Sequence, residues 1–420
     1  MVTQILAMGL SKIKISVFIN YFLFGILLNS VGTAILQVQR YYGVTESAAS
    51  VLEIFKDGTI AIVSFLVASF IIRIGYKRSM LIGLAAVMAA CFIIPSVKTF
   101  IAIKLLFAVT GASFALIKIS VYGTIGLITK TDKQHISLMN FIESFFMIGV
   151  VSGYFVFSAF IDDSNAASDR WFSVYYVIGA AYLVAFILLL ISPLDESAAK
   201  EDTLPGAETD FIGMIKLIAV PLVLSFIVCA FLYVLIEQSI MSWLPTFNNK
   251  VLHIPSSLSV IVAAIMAAST ALGRITAGIV LKRYSWYIVL ITCLLSAAAL
   301  VLIALPLANK ESGHIITKWG DVPFAAYIFP LIGFFLAPVY PAVNSVILAS
   351  LPKSKHGAMG GLIVVFSALG GSLGSVITGF IFQHYNGQTA FYFSLVPITL
   401  LITALSFFKK IKSLSVAATA

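Results

Sequence analysis

Apolar runs of about 18 residues or more recur along the whole chain, and each is long enough to cross ~30 Å of hydrocarbon as a helix. Inside a bilayer no water completes a broken backbone hydrogen bond, so a chain made of such runs folds as a bundle of transmembrane helices. The weak alternating pattern of a β-barrel is absent. Composition agrees, with 60% hydrophobic residues, 10% charged residues and a mean hydropathy of +1.07. No soluble globular domain of this length has those values.

Hydropathy predicts twelve spans: 16–38, 48–72, 80–97, 101–128, 137–161, 170–192, 215–245, 257–281, 285–307, 323–350, 357–383 and 388–408. The first follows Lys12 and Lys14, is too long for the apolar core of a secretory signal and lacks a small-residue cleavage site, so it reads as the first membrane helix. With the N-terminus inside, sixteen basic residues fall on the inner side and six on the outer. The positive-inside rule then puts both termini in the cytoplasm, with a bacterial inner membrane as the expected location. The net charge of +9 is thereby explained by membrane orientation, and no nucleic-acid partner is expected. One long polar connection, 193–214, holds six acids and one lysine and reads as a cytoplasmic linker. The predicted domains are 1–192 and 215–420, each a six-helix bundle.

The halves resemble one another. Arg73-Ile-Gly-Tyr-Lys-Arg78 follows the second span and Gly278-Ile-Val-Leu-Lys-Arg283 the eighth. The fourth span carries Gly111 and then Tyr122, the tenth Gly333 and then Tyr340-Pro341. A repeated six-helix arrangement is the pattern of secondary transporters, whose sites lie near the midplane.

Charges inside apolar spans are costly and mark functional sites by default. Lys118 lies about eleven residues before the loop Thr129–Ile136 and Glu143 about eight after it, so the two sit at similar depth on neighbouring helices. One reading is an ion pair clamping helices four and five. The other is a working pair in which Lys118 attracts an anionic or polyhydroxyl solute and Glu143 takes up and releases a proton. On helix two, Glu53 and Asp57 share a face that Lys56 does not, and the spacing reads as a solvated mouth. Asp57 is a second candidate for proton coupling. Glycines crowd helix eleven at 360, 361, 370, 371, 374 and 379, where small residues let helices approach closely and slide. The five histidines fall in or beside loops, and Cys91, Cys229 and Cys293 read as small core residues, so neither metal nor cofactor is expected.

Several motifs resemble the major facilitator superfamily, and within it the fucose and glucose/galactose proton symporters. They are Gly75-Tyr76-Lys77-Arg78 before Ile82-Gly83-Leu84, Tyr233-Val-Leu-Ile-Glu237 with Ser242-Trp243-Leu244, Gly273-Arg274, and Gly333-Phe-Phe-Leu-Ala-Pro-Val-Tyr340-Pro341. The resemblance implies an all-α membrane fold of two pseudo-symmetric six-helix bundles. It places Asn29, Tyr122, Asn140, Glu237, Tyr340 and Asn344 with Lys118 at the solute, and Arg73, Lys77, Arg78 and Arg274 at gates. Departures are equally informative. Helix one reads Asn29-Ser30-Val31-Gly32 where the family carries an acid, and Leu116 stands where helix four carries a glutamate. Asn140-Phe-Ile-Glu143 replaces an Asn-x-x-Gln pattern, and Ile72 replaces the aspartate of the loop motif.

The expected function is alternating-access transport of a small polar solute, with proton-coupled uptake of a sugar or sugar derivative first. An organic anion follows, because Lys118 replaces a neutral position, and drug or metabolite export comes third. The expected partners are the solute, protons and the lipid bilayer, with the chain a monomer. No His-Glu-x-x-His or Gly-x-x-x-x-Gly-Lys-Ser/Thr stretch exists to support a metalloprotease or an ATP-driven pump. Scattered single charges do not make a channel filter.

Overall fold

The structure, a computed structural model, describes residues 2–68, 71–129, 132–197, 216–308, 316, 318–350 and 356–417. Among them eleven helices are long and apolar enough to cross a membrane. They are α1 (Lys12–Tyr42), α3 (Tyr76–Val97), α4 (Phe100–Ile128), α5 (Ser137–Ser158), α6 (Asp169–Ile191), α7 (Pro221–Lys250), α8 (Ser256–Val280), α9 (Trp286–Ala308), α10 (Phe324–Ile347), α11 (Met359–His384) and α12 (Gly387–Ser413). The remaining one, α2 (Glu46–Ala68), has the length, but Glu53, Lys56 and Asp57 interrupt its apolar run. The twelve match the predicted spans in order and number.

Local chemistry sets the ends. At the α3–α4 turn Lys98 takes the left-handed conformation at φ 46, and the Thr99 hydroxyl accepts from the Ala102 amide at 3.2 Å. Pro221 opens α7, where its missing N–H costs nothing. Several spans are interrupted, α1 and α7 among them, as are α10 at 329–331 and 337–338 and α12 at 393–394. In α1 the helix stops at Leu28 and resumes at Val31, while the Asn29 side-chain amide donates to the Gly25 carbonyl (3.1 Å) and the Ser30 hydroxyl to the Leu27 carbonyl (2.6 Å). In α7 the break falls at Ser242-Trp243, and the buried Trp243 indole N–H donates to the carbonyl and hydroxyl of Ser375, both at 3.0 Å.

Internal contacts gather the chain into two compact units, Met1–Val31 with Ile54–Glu208 and Gly32–Glu53 with Thr209–Ala420. Residues 32–53 thus pack with 209–420, although they lie in the first predicted bundle. Their anchors are visible. A Cβ on Gly32 would fall 2.8 Å from the Ser242 carbonyl oxygen. The Lys250 ammonium donates to Gln39 Oε1 (2.8 Å) and Glu46 Oε1 (2.6 Å), and the Ser47 amide to Gln383 Oε1 (3.2 Å).

Each unit repeats one packing scheme. In the first, α1 lies directly on α5, because Gly25, Gly149 and Gly153 leave no side chain between the backbones. In the second, α7 lies on α11, where Gly370 and Gly374 face the carbonyls of Phe231 and Leu235. The scheme extends to a second pair. Gly111 of α4 receives Thr59 of α2, whose hydroxyl is 3.0 Å from the Ala108 carbonyl, and Gly333 of α10 receives Thr270 of α8 at 2.6 Å from an ideal Cβ. Lipid tails are as apolar as leucine, so helices in a bilayer associate through such close van der Waals approach. Not every glycine works this way: Gly360 meets nothing within 4 Å.

A side chain at the α1–α5 seam has nowhere to go. In Gly149→Val the Cβ meets the Phe22 carbonyl oxygen and lies 3.2 Å from the Gly25 Cα. We expect thermal unfolding in detergent to show a loss of about 1–3 kcal/mol for this variant. The control Gly126→Ala, whose Cβ enters open space, should melt at or slightly above the wild type.

Candidate functional site

The first unit collects polar groups inside an aromatic enclosure. Phe114, Lys118 and Tyr122 lie four residues apart on one face of α4. The Tyr122 hydroxyl donates to Glu143 Oε1 of α5 at 3.0 Å, and the Lys118 ammonium stands over the Phe114 ring at 5.8 Å. Both charges lie within electrostatic range of the Tyr122 hydroxyl. Tyr21 of α1, fully buried, brings its own hydroxyl beside that of Tyr122. Rings close the enclosure: Tyr21 to Phe114 at 6.2 Å, Tyr21 to Phe146 at 6.1 Å, Phe114 to Phe146 at 5.8 Å and Phe24 to Phe114 at 5.6 Å. Tyr122 therefore bonds one of the two charged residues and lies within the field of both. Asn20, also on α1, is completely buried, and neither of its amide atoms finds a hydrogen-bond partner among the described residues.

The second unit has its own cluster. The Tyr233 hydroxyl donates to Glu237 Oε1 at 2.8 Å, one turn along α7. Tyr340 of α10 stacks on Tyr233 at 5.4 Å and 25°, and its hydroxyl meets Ser367 of α11 at 3.1 Å. Asn344 lies one turn beyond Tyr340 and buries an Oδ1 with no hydrogen-bond partner among the described residues. Arg274 is exposed yet close enough to act electrostatically on Tyr233. A hydroxyl pair, a carboxylate, an amide and a guanidinium therefore gather on α7, α8 and α10.

Other predicted residues have different surroundings. Asn29 spends its amide on its own helix break. The Asn140 side chain lies outside the described residues. Arg73 and Arg78 are exposed. Lys77 is engaged inside the first unit: its ammonium donates to the carbonyls of Leu190 (3.0 Å) and Ser192 (2.7 Å) at the end of α6, and its amide to Glu196 Oε1 (2.6 Å). Gly75, at φ +94, is a position where only glycine fits easily, and the Glu196 carboxylate covers it at 2.5 Å from an ideal Cβ.

The charges on α2 depart from a solvated mouth. Glu53 is 0% exposed and accepts from the Ser242 hydroxyl, which is also 3.0 Å from Gln238 Oε1. Lys56 lies 3.4 Å from Asp57, with side chains 4% and 11% exposed. Face periodicity separates Lys56 from Asp57, but a four-carbon stem folds back onto the adjacent residue when both leave water. Tyr21, Asn20 and Gln238 carry no motif, and their only signal is a polar residue within an apolar run; Ser242 lies in a quoted motif and Glu53 beside Asp57, but nothing in the sequence pairs them.

Comparison with known proteins bears on this arrangement. The sequence pattern of the Major Facilitator Superfamily matches residues 17–317. The chain belongs to this superfamily. It is a transporter and not an enzyme. A relative, "Protein TsgA homolog" of Buchnera aphidicola subsp. Baizongia pistaciae (strain Bp), is 23% identical over 257 residues, covering 61% of this chain and 59% of that protein. The chain thus aligns with less than two thirds of that relative's length. Two superfamily structures share the fold. The D-xylose-proton symporter superposes with a TM-score of 0.74 at 12% identity, covering 94% of this chain and 96% of the other. FucP in the outward conformation superposes with 0.63 at 14% identity, covering 94% and 98%.

The buried pair on α2 makes a clear prediction. Lys56→Met leaves Asp57 buried without its neighbouring ammonium and should cost about 3–5 kcal/mol. Adding Asp57→Leu should restore most of that loss. Equal melting temperatures for the single and double variants would show that the pair carries no such coupling.

Proposed function

We propose that this transporter takes up a small polar solute, a sugar or sugar derivative, together with protons, by alternating access. The observation that carries the reading is the Lys118–Tyr122–Glu143 group with Tyr21, closed in by Phe114 and Phe146. Ring faces suit the apolar faces of a polyhydroxyl solute, while hydroxyl, carboxylate and ammonium groups supply the few placed polar contacts that fix its orientation. Glu143 is the coupling acid in this proposal. The solute competes for the Tyr122 hydroxyl and for the field of Lys118, and so changes the balance that holds the proton on Glu143. Asp57, beside Lys56, is a second candidate. The Tyr233–Glu237–Tyr340–Asn344 cluster gives the second unit an equivalent set of solute contacts, and Arg73, Lys77, Arg78 and Arg274 serve gates. The lysine distribution supports cytoplasmic termini in a bacterial inner membrane, and the chain acts as a monomer of two six-helix bundles, 1–192 and 215–420, joined by a cytoplasmic linker, 193–214.

Lys118 supports one other reading, an organic anion. A thermal-shift screen over sugars and organic acids separates the two, since a ligand of the folded state raises its melting temperature. With the ligand so found, Glu143→Gln in proteoliposomes should retain counterflow and lose acceleration by a pH gradient. Uptake that stays fully gradient-driven in the variant would remove Glu143 from the coupling step. Lys118→Gln should abolish the shift given by acids if the solute is an anion, and leave the shift given by sugars largely intact if it is not.

A further inference from the structure

The first unit also holds a groove of about 630 Å³ where the start of α1, the end of α4 and the helix leading into α5 come together. Its lining mixes polar side chains, Lys14, Thr129, Gln134 and Ser137, with apolar ones, Ile128, Leu138 and Phe141. Lys14 is partly sheltered, whereas its neighbours Lys12 and Ile15 are exposed. Among the described residues no carboxylate lies within ion-pair distance of Lys14. Phe141 is 58% exposed, which makes it an open apolar ledge. One turn deeper on each helix, Phe18 and Phe145 stack at 4.9 Å and 11°, so the seam between α1 and α5 continues inward as apolar rings.

The surrounding sequence adds charge of one sign. Lys12, Lys14 and Lys133 occupy these helix ends, against one acid, Asp132. The proposed orientation places them on the cytoplasmic face, where anionic headgroups attract basic residues.

We infer that this groove is a binding site for an anionic phospholipid, with the headgroup phosphate on Lys14, Gln134 and Ser137 and an acyl chain along Leu138 and Phe141. The mixed lining selects the lipid over a free anion, because inorganic phosphate would leave the exposed Phe141 ring without an apolar partner. The site is separate from the polar cluster described above. Ser137 precedes Glu143 by six residues and Lys14 precedes Tyr21 by seven, which places the groove about 10 Å along the helices from that cluster. A bound lipid would join the ends of the three helices that carry Tyr21, Tyr122 and Glu143. The inference rests on the membrane orientation and not on the choice of solute.

Native mass spectrometry of the full chain tests it without a transport assay. Equal amounts of phosphatidylglycerol and phosphatidylcholine are offered, with inorganic phosphate in a separate arm. Phosphatidylglycerol should be retained preferentially, and Lys14→Gln should lower that retention about fivefold, the effect of one lysine at an anionic surface. Ser137→Leu, which fills the groove and keeps the charge, should lower it as well. Lys282→Gln, an exposed lysine at the end of α8, should leave it unchanged. Melting curves in phosphatidylcholine micelles establish that the variants are folded. Equal retention in wild type, Lys14→Gln and Ser137→Leu would overturn the site. Displacement of the lipid by inorganic phosphate would equally overturn it, by showing an anion site with no role for Leu138 and Phe141.

Discussion

In hydrocarbon an unsatisfied backbone N–H or C=O costs several kcal/mol, and this penalty governs the structure more than any side-chain contact. It makes every membrane span a helix, and it requires that each interruption be covered. The breaks in α1 and α7 are two examples. At Asn29-Ser30 both side chains turn back onto carbonyls of the preceding turn. At Ser242-Trp243 the indole binds Ser375 on α11, and the serine hydroxyl reaches Glu53 on α2. The first break is thus covered from within its own helix, whereas at the second the side chains tie α7 to its neighbours and the Trp243 amide bonds the Ile240 carbonyl at 3.2 Å; such breaks are natural places for polar chemistry.

The same economy governs helix contacts. Without a hydrophobic drive between helices, association depends on how closely backbones approach. The α1–α5 and α7–α11 seams use glycine for that purpose, and the Thr59–Gly111 and Thr270–Gly333 contacts repeat the device. These are corresponding helices of the two halves, so the repeat that the sequence shows faintly in its loops is carried more plainly by its small residues.

Much of this was legible before any coordinates. The span 101–128 is observed as Phe100–Ile128 and 257–281 as Ser256–Val280, because hydrophobic length is a strong and local signal. Partner choice was less legible. Periodicity brings Lys118 and Glu143 to one depth, yet the direct hydrogen bond to Glu143 comes from Tyr122, since a tyrosine reaches across a helix interface that spacing alone does not describe. Glu53 looked like a residue at a wet mouth and is buried, because the packing of 32–53 with 209–420 depends on contacts far apart in sequence. Lys77 matched a gating motif, while its observed bonds cap the end of α6 and meet Glu196. In each case the residue type was informative and its neighbour was not.

The Ser242 hydroxyl has a consequence that follows from counting hydrogens. It carries one, and two acceptor oxygens, Glu53 Oε1 and Gln238 Oε1, stand against it. One hydrogen cannot serve both, so with two oxygens as acceptors one contact lacks a hydrogen, and turning the Gln238 amide to present nitrogen supplies it: Gln238 then donates to the Ser242 oxygen while the Ser242 hydroxyl donates to Glu53. The orientation of one side-chain amide thus decides whether the break of α7 carries one hydrogen bond at this serine or two.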